Sequence, residues 1–319
     1  MKQLRRLVIY GSLGLRPGLS ELLWAFRKNN RLEEFPVYLD DHPFQIYERI
    51  LAERKHGMRS ADIVLMPHYM VLRMEKEGLL APRESKESHA YPAKFQSRKS
   101  LWYAAATTFM SMVFDSTKLT HSDAPSTLED LMEPPFAGRL GLQSLTASKA
   151  GNLGVHYIAY LKSVVGQKRW NAFIRSLAGR NRPKSYDCID HLLQGLLAGE
   201  HLLSLTVYSL AYFREKMNGS AVSLLSMEDA PQMFTFTSVG ITKTGGKSES
   251  AGRFVDFLLG KQGQSLVGAI PGLSPARPGI KPSYQTEVEP PEVGDFHPNE
   301  TDLKSAAEAA KTFAKLGLP

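Results

Sequence analysis

Cysteine is nearly absent: Cys188 stands alone among 319 residues. A single thiol excludes an internal disulfide and any cysteine-rich metal centre, and it leaves the redox compartment open. Long apolar runs are missing too, since no stretch approaches the roughly 20 residues that a membrane-spanning helix needs. There is no internal repeat and no low-complexity tract. A dense basic run interleaved with aromatics, the footprint of a nucleic-acid binder, is also lacking. What remains is an ordinary globular composition, 43% hydrophobic and 22% charged, able to bury a core in about two domains. The net charge is +7 with a pI near 9.3. With its lysines and arginines scattered, this balance favours a small anion as partner over nucleic acid.

The opening "MKQLRRLVIYGSLGL" briefly imitates a secretory signal, with basic residues ahead of apolar ones. Tyr10, Gly11 and Ser12 break the apolar run, and no small-residue cleavage site follows. It reads as a first buried strand and its turn; an exported form is expected to have lost its signal ahead of this numbering.

Further along, "LVIYG" (7–11), "FPVYLD" (35–40) and "ADIVLMP" (61–67) read as strands, with amphipathic helices over 18–30, 43–57 and 69–80. Alternation at this spacing predicts an α/β fold with a parallel sheet, whose ligands collect in loops at the carboxyl ends of the strands. Two long segments, 101–115 and 233–243, read as strands crossing between lobes. Helices are expected at about 150–165, 167–178 and 187–198, with a strand over 202–208. A helical pair over 250–268 and an Ala-rich helix over 303–315 close the chain.

Three phrases carry a resemblance: "SADIVLMPHYMVLRMEKEGLL", "FAGRLGLQSLTASKAGNLGVHYIAYLKSVVGQKRWNAFIRSLAGRN" and "AGRFVDFLLGKQGQSLV". In this order and spacing the chain resembles the type II solute-binding proteins of bacterial ABC importers, nearest the ferric-iron, thiamine and phosphonate binders (extracellular solute-binding family 1). The likeness runs from about residue 5 to 282. It implies a two-lobed periplasmic-binding-protein type II fold with two crossing hinge strands. Lobe 1 would be residues 1–107 plus 239–319, lobe 2 residues 108–238, and the ligand would sit in a hinge-closing cleft between them. The implied role is capture of a solute in the periplasm by a monomer and its delivery to a membrane permease, with no cofactor, no nucleic acid and no chemistry.

Several residues are candidates for ligand contact. "SLTASKAGN" offers the hydroxyls of Ser144, Thr146 and Ser148, the charge of Lys149, and backbone N–H groups where a helix begins, which together suit an anion. The bland alternative is a serine helix cap beside a solvated lysine. Ser12 follows the first strand, where Gly11 permits close backbone approach. Thr107 and Thr108 lie on the first crossing strand, with simple β-propensity as the alternative. Ser185 and Tyr186 belong to a further expected cleft loop, in which Asp187 is expected to cap the next helix.

"TVYSLAY" (206–212) bears on the solute. Ferric binders of the resembled family use two adjacent tyrosines here, whereas this chain has Val207 and Tyr208. Tyr212 follows one helical turn later and is no equivalent. Ferric iron needs several anionic oxygen donors, so one phenolate is a poor start. The expected solute is a small anion or zwitterion: a carboxylate, phosphonate or phosphate ester. Ferric iron held through Tyr208 is the alternative. An enzyme on the same scaffold is a second alternative; it would need a nucleophile–base set or a metal triad, and neither is evident. Asp40, Asp41 and His42 read as a turn, and His68 and Tyr69 as surface loop residues.

Overall fold

Short β-branched runs such as Ile63–Val64, too brief for a helix and bounded by turn residues, are suited to strands buried on both faces. The computed structural model describes residues 6–13, 16–30, 35–145, 152–284 and 300–318. It opens with β1 (Val8–Gly11), α1 (Arg16–Asn30), β2 (Val37–Asp40), α2 (Pro43–Lys55), β3 (Ile63–Pro67), α3 (His68–Lys76) and the long β4 (Trp102–Asp115). β1 pairs in parallel with β2 and β3, placing Ile9 opposite both Tyr38 and Ile63. Asp40 ends β2, and Asp41 and His42 link it to α2, which Pro43 starts; the His42 side chain accepts the Phe44 N–H at 3.4 Å.

The chain continues through β5 (Leu140–Gln143), α4 (Leu153–Ala178), β6 (Lys184–Tyr186), α5 (Ile189–Ala198), β7 (Leu203–Tyr208), α6 (Ser209–Met217), β8 (Val222–Leu224) and β9 (Met233–Ile241). It closes with α7 (Glu249–Leu259), α8 (Lys261–Gly268), the two-residue β10 (Ser274–Pro275) and α9 (Glu300–Lys315). The two helices expected before and after residue 166 run on as α4, broken at Gly166, whose φ of 79° suits glycine alone among ordinary residues.

Two compact units emerge, Met1–Thr108 with Thr235–Phe296 and Phe109–Phe234 with His297–Pro319. The boundaries fall inside β4 and β9, so both long strands carry the chain from one unit to the other. In the first unit β9 runs antiparallel to β3, and Phe26 of α1 meets Phe254 of α7 edge-on at 5.1 Å. In the second, β5 lies parallel to both β6 and β7, while β4 runs antiparallel to β7 and β8.

The tail departs from expectation. The resemblance implies a place in the first lobe, yet α9 belongs to the second unit. Ala306, Ala309 and Phe313 are buried in that unit's core, and the Phe313 ring lies 6.2 Å from that of Trp170 on α4. Arg182 adds a hydrogen bond of 2.6 Å to the Gly317 carbonyl. The physical reason is the apolar stripe of α9, which must be covered and finds α4.

His68 and Tyr69 also depart from expectation. Both are buried in the first turn of α3. The His68 Nδ1 lies 2.9 Å from the Ser238 hydroxyl, and its ring stands edge-on to Trp102 at 4.3 Å. Burial pulls its pKa down to about 3, so the ring is neutral.

Candidate functional site

β5, β6 and β7 are parallel, so their carboxyl ends fall at one edge of the second unit's sheet, and each is followed by a helix. At the end of β5, the Ser144 N–H donates to the Tyr186 carbonyl at 2.9 Å, fastening that edge to the end of β6. Thr146, Ser148 and Lys149 lie outside the described residues.

The helix cap is not a serine. Asn152 occupies the N-cap of α4 with extended backbone, and its Oδ1 accepts the Val155 N–H at 3.2 Å. Its Nδ2 donates to the Ser144 carbonyl at 2.7 Å. Sequence reasoning missed this residue, although an Asn directly before the periodic run "LGVHYIAY" was an available cap signal. Gly154 lets the first turn of α4 approach β7: a Cβ there would lie 2.9 Å from Asn152 Oδ1 and 3.2 Å from Thr206 Cβ.

At the end of β6, Ser185 is exposed. Tyr186 is different. Its hydroxyl donates to Glu200 at 2.9 Å and lies 3.0 Å from the Nδ1 of His201. The His201 Nε2 in turn lies 2.8 Å from the Ser204 hydroxyl. Two glycines make room: a Cβ on Gly195 would fall 2.3 Å from the Tyr186 hydroxyl, and one on Gly141 2.5 Å from the His201 ring. Burial, then the bond to Glu200, push the Tyr186 phenol well above its usual range, and burial pulls His201 down to about 4. The hydroxyl proton is thus already engaged within the second unit. Nor does Asp187 cap α5; Cys188 stands at that N-cap, without a side-chain hydrogen bond.

At the end of β7, Tyr208 forms the N-cap of α6 and is half-buried against the second unit's core. Val207 and Tyr212 are both fully buried in that unit. One tyrosine is therefore positioned at this strand end, and neither neighbour supplies a second. Among the described residues no group of three or more histidine, cysteine, aspartate or glutamate side chains is arranged to hold a metal ion. Nor is any described helix long and apolar enough to cross a membrane.

In the first unit, Ser12 follows β1, and its N–H donates to the Leu65 carbonyl at 3.2 Å. Its buried hydroxyl finds no partner among the described residues. Tyr38 covers Gly11, where a Cβ would fall 2.2 Å from the phenol oxygen, and that phenol donates to Asp40 at 3.2 Å. Thr107 and Thr108 are buried on β4, and the Thr107 hydroxyl donates to the Ser274 carbonyl at 3.4 Å.

Strand-end hydroxyls and capped helices on an α/β scaffold, split by two crossing strands, define a binding protein of the type II periplasmic fold. Residues 59–295 match the family of bacterial extracellular solute-binding proteins, and the chain belongs to that family. Such proteins serve ABC importers outside the cytoplasm, in the periplasm or extracellularly. The solved structure of iron-bound HitA from Pseudomonas aeruginosa superposes with a TM-score of 0.79 at 18% identity, covering 98% of this chain and 99% of its own. The periplasmic binding protein AfuA from Actinobacillus pleuropneumoniae, with exogenous fructose-6-phosphate bound, gives 0.77 at 17%, covering 98% and 99%. The major ferric iron-binding protein of Neisseria meningitidis is 23% identical over 204 residues, 61% of this chain and 60% of that relative's length. At these identities the structural likeness establishes the fold alone.

Proposed function

We infer that this chain captures a small anionic or zwitterionic solute, a carboxylate, phosphonate or phosphate ester, and hands it to the permease of an ABC importer. It acts as a periplasmic monomer and carries out no reaction. The proposed contacts are Ser144, Thr146, Ser148 and Lys149, whose hydroxyls and charge suit an anion as helix N-terminal N–H groups do. Tyr208 offers a hydroxyl or a ring wall, Ser185 a further hydroxyl, and Ser12 of the first unit a hydroxyl with no partner among the described residues. Thr107 and Thr108 are kept as strand residues, since burial and the Ser274 contact leave them little to offer.

The observation that carries the choice of solute is the burial of Val207 and Tyr212 beside a lone Tyr208. A ferric ion would have one phenolate here, too few anionic donors to compete with hydrolysis. Iron is retained as the second reading because the Neisseria relative is named for it.

A thermal-shift screen of refolded, ligand-stripped protein tests this, using citrate, methylphosphonate, fructose 6-phosphate, thiamine and ferric citrate. A ligand at a hundred times its Kd adds about 2.7 kcal/mol of stability. A shift with an organic anion that shrinks in Lys149→Ala supports the reading. A shift and a coloured complex with ferric citrate alone transfer it to iron. Turnover of any probe would replace binding with catalysis.

A further inference from the structure

We propose that the amino-terminal edge of the first unit's sheet is a docking surface for a bilayer that carries anionic phospholipid. The inference goes beyond the solute reading and does not rest on it, since ligands of such sheets collect at the carboxyl ends of the strands. Charge is the first observation. The cations are scattered in sequence, yet the fold gathers six of them here. Strands β1, β2 and β3 are parallel, and α1 and α2 each return the chain to the amino end of the next strand. Arg6 precedes β1 and Arg59 precedes β3, while Arg27 and Lys28 stand in the last turn of α1 and Arg54 and Lys55 in that of α2.

Contacts join these residues into one surface. Arg59 donates to the Arg6 carbonyl at 2.7 Å, and Arg6 donates to the Phe35 carbonyl at 3.4 Å. The Arg27 guanidinium lies 6.0 Å from the centre of the Phe35 ring. Lys28 sets its ammonium 5.2 Å from the centre of the Trp24 ring, one turn back on α1. Lys28, Arg54 and Lys55 are exposed and form no ion pair among the described residues. The acids close by are already engaged: Glu53 and Asp62 are buried and paired with Arg49 and Arg59. Exposed Glu21 lies on the side of Trp24 away from Lys28. Residues 31–34, outside the described residues, add Arg31, Glu33 and Glu34 and leave the balance basic.

Apolar side chains select the kind of anion. Trp24 and Met58 are each 56% exposed and Phe35 38%. Among the described residues these are all of the first unit's large apolar side chains left in water. A free anion would meet the cations but leave Trp24 and Met58 wet. A bilayer interface accommodates both, because rings and a thioether enter between the headgroups while Lys and Arg stay with the phosphates. The binding protein of an ABC importer works beside such a surface.

Sedimentation of the full chain with vesicles tests this, using phosphatidylcholine alone or mixed in equal parts with phosphatidylglycerol. Wild type should bind the mixed vesicles and not the neutral ones, and binding should fade as salt rises from about 0.05 to 0.5 M. A cation near an anionic bilayer contributes about fivefold to partitioning. Replacing Lys28, Arg54 and Lys55 together by glutamine should therefore weaken binding on the order of a hundredfold. Replacing Lys168, Lys311 and Lys315, exposed cations of the second unit, gives the same net charge and should leave binding as in wild type. Trp102 and Trp170 are buried, so a blue shift of tryptophan emission on vesicle binding reports Trp24 and should vanish in Trp24→Ala. Equal binding to both vesicles, equal loss in the two triple variants, or unshifted emission overturns the proposal. Capture by polyglutamate without binding to vesicles also overturns it, and would make the occupant an acidic protein.

Discussion

Ser12 presents a buried hydroxyl with no hydrogen-bond partner among the described residues, while its own N–H is satisfied by Leu65. A buried polar group left unpaired carries a desolvation cost of about 1–3 kcal/mol, which a bound ligand removes. Ser12→Ala is therefore expected to leave the unliganded protein as stable as wild type, or more stable by up to about 1 kcal/mol. Solute affinity should fall about tenfold, the loss of one hydrogen bond. Denaturant midpoints and titration of the active probe check both halves. A loss of stability in the unliganded protein would show that the hydroxyl is already bonded. Residue identity alone separated few of the candidates. From sequence, Ser12 and Tyr186 are both candidate ligand contacts. The neighbours that consume the Tyr186 hydroxyl, Glu200 and His201, come 14 and 15 residues later in the chain. No local pattern announces a bond across that separation.

Among the elements, α9 departs most from the sequence reading. Its Ala-rich amphipathic pattern was legible, but the surface it would cover was not. Phe313 is wholly buried against Trp170 and the core of the second unit. Phe313→Ala should destabilise the protein by about 3–5 kcal/mol, the range for large-to-small changes in a packed core. The exposed neighbour Lys311 serves as control, and Lys311→Ala should stay within about 0.5 kcal/mol of wild type. Urea unfolding distinguishes them; equal midpoints would mean that α9 is not held on α4 in solution. Helix α4 makes the converse point. Its break at Gly166 falls between the helices expected over 150–165 and 167–178, and the positive φ there is a constraint that belongs to a single residue.

Across the whole molecule, two buried histidines, His68 in the first unit and His201 in the second, make stability depend on pH. Burial holds His68 near 3 and His201 near 4, against about 6.5 in an unfolded chain. Above pH 6.5 both states are neutral and the histidines add no pH dependence. As pH falls below that value, the unfolded chain takes up protons that the folded one refuses. Stability then drops by up to about 1.4 kcal/mol per pH unit for each histidine. The His201 contribution stops growing near pH 4, and that of His68 near pH 3. Urea midpoints between pH 7.5 and 4 should trace this slope, and His201→Gln should flatten it. An unchanged slope in that variant would show that His201 is already charged in the folded state.

The amino-acid sequence by itself determined the α/β class, the two long crossing strands and the family. Each of these rests on short-range periodicity or on phrases kept in order, and neither requires knowing what packs against what. Only the tertiary structure decided which polar groups remain open to a solute. It committed the Tyr186 hydroxyl to Glu200 and His201, buried Val207 and Tyr212, seated α9 on α4, and made Asn152 the cap in place of a serine. A hydrogen bond or a packed face joins residues brought together by the whole chain, so the choice of partner is a property of the fold and not of any one segment.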